Sequence, residues 1–560
     1  MPLDSAMTSI RDAIVTALKS LLRGKSFLRA LLAFWTASPV TTAVPVDPQH
    51  VGTKANADPA ADFLAEAEHL LLGYIDAGGL KQLARGLKTQ FRERLWSNPV
   101  CMLPSYNSQL PTGDEVGQFL ALDVGGSTLR VALVHLRGRG APGSENNIIR
   151  MDTFKIDNDV RGLRGREFFD WMAERIHRTV AKDSARGHRP EHPLLMGLAW
   201  SFPITQTSSK GGKLSVMGKG FLANDGLMGE DLGEIIETAC KKQGLYVELS
   251  AIVNDSSAAL LSEAYTTPST RFSLILGTGS NIAAYLPVTT IDRPKFGDRP
   301  DSWHEKASHV IVNTEASMFG QGILPLTKWD KVLKAAHDRP DFQPIEQLVS
   351  GYYLGEICRL ALLDAIQSTG VFGGVVPPSL RTPYSLDTET LSVIEADTSP
   401  TLTTALQTFT ARHPSPGGGG VPPPTPADLS FLRTLASHIT RRSASVVAAA
   451  IFALWELKAE AEAELLATLS LSSPFLAETE AELRMVARRP GGGKTTVAFN
   501  GSVVEQYPGY SERLQEYVDG LLAEGGGEDG EDIGGRGSIE LVAARESSLR
   551  GAAVALACLA

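Results

Sequence analysis

Two short glycine turns constrain this chain more than any other feature. One lies in Leu120-Ala-Leu-Asp-Val-Gly-Gly-Ser-Thr-Leu-Arg-Val131 and the other in Leu274-Ile-Leu-Gly-Thr-Gly-Ser-Asn-Ile-Ala-Ala-Tyr-Leu286. Each reads as an apolar strand, a tight turn and a returning strand. Glycine lets such a turn take positive φ and lets backbone N–H groups approach an anion with no Cβ in the way. One such turn alone is an ordinary hairpin, whereas two in one chain read as one design used twice, a clamp on a polyphosphate. Asp123 ends the first strand two residues before Gly125-Gly126, where its carboxylate is placed to hold a phosphate-bound magnesium ion through water. Neither turn is a Walker loop. The stretch Arg488-Arg-Pro-Gly-Gly-Gly-Lys-Thr495 approaches that pattern, but Arg488 stands where the leading glycine is needed, and the segment reads as a flexible loop.

At 560 residues and 43% hydrophobic content the chain can fill more than one core, so two packed lobes are expected. A net charge of −10 argues against nucleic acid as a partner, since a phosphate backbone demands a basic surface. Cys101, Cys240, Cys358 and Cys558 lack metal-like spacing and read as free thiols in a reducing compartment. Pro414-Ser-Pro-Gly-Gly-Gly-Gly-Val-Pro-Pro-Pro-Thr-Pro426 excludes helix and central strand, and reads as a surface insertion. The glycine-rich segments near Pro490 and from Gly525 to Gly537 read likewise. Thr434 to Leu457 is an Ala-rich apolar run without Pro or Gly, the pattern of a buried helix.

The N-terminal segment stands apart. Ile10, Ile14, Leu18, Leu21 and Leu22 share one helical face, with Arg11, Lys19, Arg23 and Lys25 available for the other. Phe27 to Trp35 is apolar but far shorter than the roughly 20 residues a bilayer span needs. Two readings stand side by side: a mitochondrial presequence or surface anchor, and a helix packed on its own domain or a tail. The expected location is cytoplasmic, with peripheral mitochondrial association under the first reading.

Three short segments between the turns place polar residues in apolar surroundings: Trp200-Ser-Phe-Pro203, Gly218-Lys-Gly-Phe221 and Ile252-Val-Asn-Asp-Ser256. Asp255 follows a strand-like run from Val247 to Val253, so it reads either as a general base facing a cleft or as the N-cap of the helix beginning at Ser256.

These residues, with Leu103-Pro-Ser-Tyr106, Leu110-Pro-Thr-Gly-Asp-Glu115, Ser350-Gly-Tyr-Tyr-Leu-Gly-Glu356 and Gly551-Ala-Ala553, resemble hexokinases of the fungal and animal type, in family order from about residue 60 onward. The resemblance implies an α/β protein with the duplicated ribonuclease-H-like fold of the actin, sugar kinase and heat-shock superfamily. Its expected parts are an N-terminal segment (1–59), a first piece of the large lobe (60–112), a small lobe (113–255) and the remaining large lobe (256–560). By the same resemblance Ser201, Phe202, Lys219, Asn254, Asp255, Asn281, Glu315 and Glu346 line a hexose pocket. Asp255 is the expected base for the 6-hydroxyl, and Lys219 steadies the developing charge. The expected partners are a hexose and MgATP, with Asp123, Gly125, Gly126, Ser127, Thr128, Arg130, Gly277, Thr278, Gly279, Asn500, Gly501, Ser502 and Ser548 on the nucleotide side.

The family pattern is broken at four places. Ser127-Thr128 stands for Thr-Asn, Gly218 for the Thr before the sugar lysine, Asn500 for the Asp of Asp-Gly-Ser, and Glu546-Ser-Ser-Leu549 for Asp-Gly-Ser-Gly. The last change removes two glycines and with them cheap access to positive φ. Three readings follow: an active hexose kinase with altered preference, an N-acetylglucosamine kinase being its close variant; a hexose sensor with little transfer activity; and a mitochondrion-associated regulator using residues 1–44 for contact.

Overall fold

The computed structural model describes residues 58–140, 143, 145–181, 189–218, 220–414, 423–486, 493–524 and 537–559. The amphipathic N-terminal segment, Lys219, residues 487–492 beside Pro490 and the glycine run 525–536 lie outside the described residues.

Both lobes use one strand plan. In the small lobe, β2 (Val116–Val124), β3 (Thr128–Arg137), β4 (Asn146–Lys155), β5 (Leu194–Trp200) and β8 (Val247–Val253) lie in the order β4-β3-β2-β5-β8. In the large lobe, β9 (Thr270–Leu276), β10 (Ser280–Pro287), β11 (His309–Asn313), β12 (Lys494–Asn500) and β13 (Ser538–Ala543) lie in the order β11-β10-β9-β12-β13, with β1 (Leu103–Pro104) added beside β11. Each sheet is an antiparallel three-stranded meander extended by two parallel strands. The duplication suggested by the two glycine turns is therefore a duplication of whole sheets. A short ribbon of β6 (Ile204–Gln206) and β7 (Gly212–Leu214) hangs from the small lobe.

Strand alternation decides what each face buries. Leu120, Leu122 and Val124 of β2 join the outer core of the small lobe, covered by α1 (Arg166–Val180) and α2 (Leu232–Lys242), while Phe119 and Ala121 face the other way. That inner face packs on α4 (Ser547–Ala557), and α4 packs on α3 (Asp255–Thr266), which in turn meets the large sheet, where Ala283, Tyr285 and Ile311 join the same core. The lobes thus share a third, interlobe core. Two glycines permit the approach. A Cβ at Gly197 of β5 would lie 2.2 Å from the Ala552 carbonyl oxygen, and one at Gly551 would lie 1.9 Å from that of Ala258. Because α4 lies on the small-lobe sheet, the expected assignment of all of 256–560 to the large lobe needs correction at its last helix.

The buried helix expected from Thr434 to Leu457 is present and longer, while two loop readings change at their ends. The apolar run Thr434 to Leu457 lies inside one 43-residue helix, Pro426–Thr468, whose first turn is fixed by a Thr425–Asp428 capping box with Pro426 at N1. The proline-rich insertion therefore ends as a helix start. Lys494 and Thr495, read as part of a loop, open the central strand β12. The β-branched pair Thr495-Thr496 is fully buried there and outweighs the glycines before it. Among the described residues, no helix is long and apolar enough to cross a membrane.

Candidate active site

The first turn joins β2 to β3. The Gly125 N–H donates to the Thr128 carbonyl at 3.0 Å, while the Ser127 and Gly126 carbonyls accept from the Ile156 N–H (2.8 Å) and Arg161 Nη2 (2.9 Å). Ser127 and Thr128 keep this turn despite departing from the family pattern. Register places Asp123 directly across from Arg130. Arg130 Nε donates to Asp123 Oδ2 at 2.8 Å, and its Nη1 donates to Glu546 Oε2 at 2.7 Å. Arg130 thus supports the turn through Asp123, and Glu546 ties it to the loop after β13.

Glu546 takes φ +51 and ψ 32, so the loop keeps a left-handed residue without glycine. The positions of the two lost glycines, Ser547 and Leu549, lie in the first turn of α4, and the positive φ falls on Glu546, at the family's Asp position, whose carboxylate meets Arg130. Ser548 follows as a buried residue in the first turn of α4.

The second turn joins β9 to β10 and is gripped on three sides. Its Gly277 carbonyl accepts from the Gly351 N–H at 2.8 Å and its Thr278 carbonyl from the Tyr352 N–H at 3.3 Å, both at the start of α-helix Gly351–Thr369. The Ser280 N–H donates to Glu346 Oε2 at 2.9 Å. A Cβ at Gly279 would lie 3.0 Å from that same oxygen and would press on the Glu346 carboxylate. On the third side Gly501, at φ +131, would place a Cβ 2.4 Å from the Leu276 carbonyl oxygen, and Ser502 lies against Gly277. Asn500 Nδ2 donates to the Ala544 carbonyl at 3.0 Å, joining this segment to the loop that carries Glu546. The nucleotide-side candidates of the two lobes thus form one connected set.

The sugar-side candidates lie beside the second turn and at the start of α3. Asn254, not Asp255, is the N-cap, accepting from the Ser257 N–H at 2.9 Å. Asp255 occupies the first helical position, where the helix dipole favours its anion. Its neighbour Ser256 is moored to the large sheet through Ser273 Oγ, 2.6 Å from the Ser256 carbonyl. Asn281 Nδ2 donates to Asn313 Oδ1 (2.8 Å), and Asn313 Nδ2 to Glu315 Oε1 (2.9 Å). Burial raises the Glu315 carboxyl above its ordinary value, and the charges of Asp255 and Glu346 push it the same way. The three carboxylates are therefore near enough for their charges to act on one another. Phe202 packs on Trp200 and edge-on against Phe221 (4.9 Å), joining the Ser201 segment to the turn at Gly218 and Gly220. Gly218 has φ +69, a conformation in which a threonine would be strained.

The sequence reading missed three contributors. Asn313 is the polar residue that ends the apolar strand β11. Ser280 acts through its backbone. Glu546 was noted as a departure, with no sign that its partner is Arg130.

Comparison with known proteins agrees with this geometry. Residues 73–265 and 271–558 match two family profiles, both described as Hexokinase. Hexokinase-9 of Oryza sativa subsp. japonica is 34% identical over 334 residues, 58% of this chain and 64% of that protein, so the chain spans just under two thirds of this relative's length. The hexokinase of Schwanniomyces occidentalis is 28% identical over 83% of this chain and 89% of its own length. Among solved structures, hexokinase from Schistosoma mansoni complexed with glucose is similar at a TM-score of 0.67 and 25% identity, covering 89% of this chain and 99% of that one. The twofold strand plan is accordingly the duplicated ribonuclease-H-like fold of the actin and sugar kinase superfamily. With one profile on each half, and the same strand plan in both lobes, the chain belongs to the hexokinase family.

Proposed function

We propose that this chain is an ATP-dependent hexose kinase that transfers the γ-phosphoryl group to the 6-hydroxyl of glucose or a related hexose. The observation that carries this reading is Asp255, fixed at the start of α3, with its charge acting together with that of Glu346 on the buried Glu315. Phosphoryl transfer asks a protein mainly for positioning and charge neutralisation. Asp255 accepts the 6-hydroxyl proton. Glu315, Glu346, Asn281 and Asn254 hold the other hydroxyls through paired acceptors and donors, and Ser201 and Phe202 close the pocket from the small lobe. Lys219 contributes a positive charge. The amides of Gly125 to Thr128 and Gly277 to Gly279 take phosphate oxygens, with Asn500 to Ser502 and Ser548 completing the donor site.

Among the described residues no three His, Cys, Asp or Glu side chains cluster as a metal cage. A magnesium ion carried in by the nucleotide would keep most of its waters. Asp123 would hold it through water, and when bound it neutralises phosphate charge. Arg130 keeps Asp123 oriented for that contact.

The test is ADP release by purified protein with MgATP and glucose, fructose, mannose or N-acetylglucosamine, with Asp255→Ala as control. Turnover with any of these sugars, falling at least about 100-fold in the variant, supports the reading and names the preferred sugar. Sugar binding without turnover would replace it with the sensor reading. Deleting residues 1–44 tests mitochondrial contact separately: unchanged distribution in cells would remove that proposal.

A further inference from the structure

Helix Leu476–Val486 is held to the large lobe by charge, where most surface helices are held by an apolar stripe. Its buried residues are Thr479, Glu482 and Val486, so a single aliphatic side chain is sealed in the core. Glu478 and Glu482 lie one turn apart on one face and reach basic side chains of three other elements. Glu482 takes Arg271 of β9 in a two-bond grip, Nε at 2.5 Å and Nη2 at 2.6 Å, and lies 3.1 Å from Lys458 Nζ of helix Pro426–Thr468. Lys458 also donates to Glu462 Oε1 at 2.5 Å. The two oxygens of Glu462 lie 2.8 and 3.0 Å from Nε2 of His309 on β11. On the other side of the ring Nδ1 is 2.8 Å from Ser308 Oγ, whose hydroxyl donates to Glu478 Oε2 at 2.7 Å. The side chains of Lys458, Glu462 and His309 are wholly buried, whereas Glu478 reaches solvent.

A count of protons fixes the state of the histidine. A carboxylate only accepts, so Nε2 must donate to Glu462. Ser308 has one hydroxyl proton and gives it to Glu478, so its oxygen can only accept from Nδ1. Both ring nitrogens carry protons, and His309 is an imidazolium in this arrangement. Arg271, Lys458 and His309 then match Glu462, Glu478 and Glu482 charge for charge. Without the extra proton the set holds one carboxylate too many, and an uncompensated charge beside a buried cluster is costly. Tyr285 of β10 stacks on the ring at 5.0 Å with planes 21° apart, and burial drives its hydroxyl well above its ordinary value, so it adds no charge. Acid does not undo the grip of Glu482. Burial favours its neutral form, yet Lys458 and Arg271 hold its carboxyl down to about 2.

We propose that His309 is a proton-operated latch for helix Leu476–Val486. Doubly protonated, it bridges Glu462 to Glu478 through Ser308. As pH rises it gives up the Nδ1 proton to solvent on the Glu478 side, because both oxygens of Glu462 hold the proton on Nε2. Nδ1 then competes with Glu478 for the single Ser308 proton, and the first turn of the helix is freed while Glu482 stays on Arg271. The helix borders Gln109 to Thr112, the segment leading from β1 to the small lobe, across a cavity of about 390 Å³, so its release opens that side of the crossing to water. None of these residues belongs to the proposed sugar or phosphate sites, and the latch holds whichever reaction the cleft performs.

The test is hydrogen–deuterium exchange of the full chain from about pH 6 to about pH 10, corrected for the intrinsic pH dependence of exchange, in wild type, His309→Gln and Glu478→Gln. In wild type, protection of residues 476–486 is expected to fall at least about tenfold across this range, with helix Pro426–Thr468 unchanged. His309→Gln should show no such fall. Glu478→Gln removes a carboxylate 3.7 Å from Nδ1 and so disfavours the imidazolium, moving the midpoint down by about half a pH unit. Constant protection in wild type, a fall that persists in His309→Gln, or a midpoint unmoved or raised in Glu478→Gln overturns the proposal. If His309→Gln fails to fold, the direction of the Glu478→Gln shift decides.

Discussion

Replacing Glu546 by glycine sets two structural costs against each other. A left-handed conformation costs a non-glycine residue about 1–2 kcal/mol, and glycine removes that strain. Glycine gives back roughly 0.5–1 kcal/mol through the freedom it adds to the unfolded chain. The lost contact is the bond from Arg130 to Glu546, with side chains 26% and 36% exposed, so screening limits it to about 1 kcal/mol at most. Arg130 keeps its bonds to Asp123. The three terms nearly cancel. Glu546→Gly should therefore leave stability within about 1 kcal/mol of wild type, a shift of about 4 °C or less for lobes of this size. Function should not be spared, because Arg130 is cut loose from the large-lobe loop and the first turn loses its tether to that loop. KM for ATP should rise several-fold with sugar affinity unchanged. Thermal melts and steady-state kinetics on Glu546→Gly and Glu546→Gln check both halves. Glu546→Gln keeps the strain and loses the charge, so it should be the less stable of the two. A loss above about 2 kcal/mol in Glu546→Gly, or an unchanged KM for ATP in both variants, would refute this balance.

Other expectations follow from the same contacts. Gly551→Ala would drive a methyl group into the Ala258 carbonyl, 1.9 Å away, forcing α4 from α3. A loss of about 3 kcal/mol and a fall in kcat, because α3 begins with Asp255, should appear in denaturant titration and assay. Glu315 carries a raised carboxyl pKa in the folded state. Its contribution to stability is therefore fully present below the ordinary glutamate value and is lost as pH rises through the folded value. Glu315→Gln, which keeps the oxygen that Asn313 contacts, should melt higher than wild type at pH 7, lose that advantage near pH 4 and bind sugar more weakly. Melting curves across pH, with sugar titrations, test each part.

The sequence made the strand plan readable because strand alternation and glycine turns are local signals. Asp123, Gly125, Gly277 and Asp255 all sit where such signals place them. Lys494 and Thr495 were misread because glycines drew attention from the β-branched residues that follow. The pairing of Arg130 with Glu546 spans 416 residues, and no local pattern encodes a contact at that separation. The capping role passed from Asp255 to Asn254 because the two residues have similar propensity, and tertiary anchoring of Ser256 fixed where the helix begins.

The interlobe core has a consequence for synthesis. The last strand of the small sheet is complete at Val253, but the helix covering the inner face of that sheet runs from Ser547 to Ala557. At 5–20 residues per second, roughly 15–60 s separate the two on a ribosome. Throughout that interval Phe119, Ala121, Val134 and Leu136 lack the helix that buries them in the finished protein. A nascent chain of this kind presents an apolar sheet face to its surroundings for most of its manufacture, which makes it a natural client for chaperones that hold extended apolar surface.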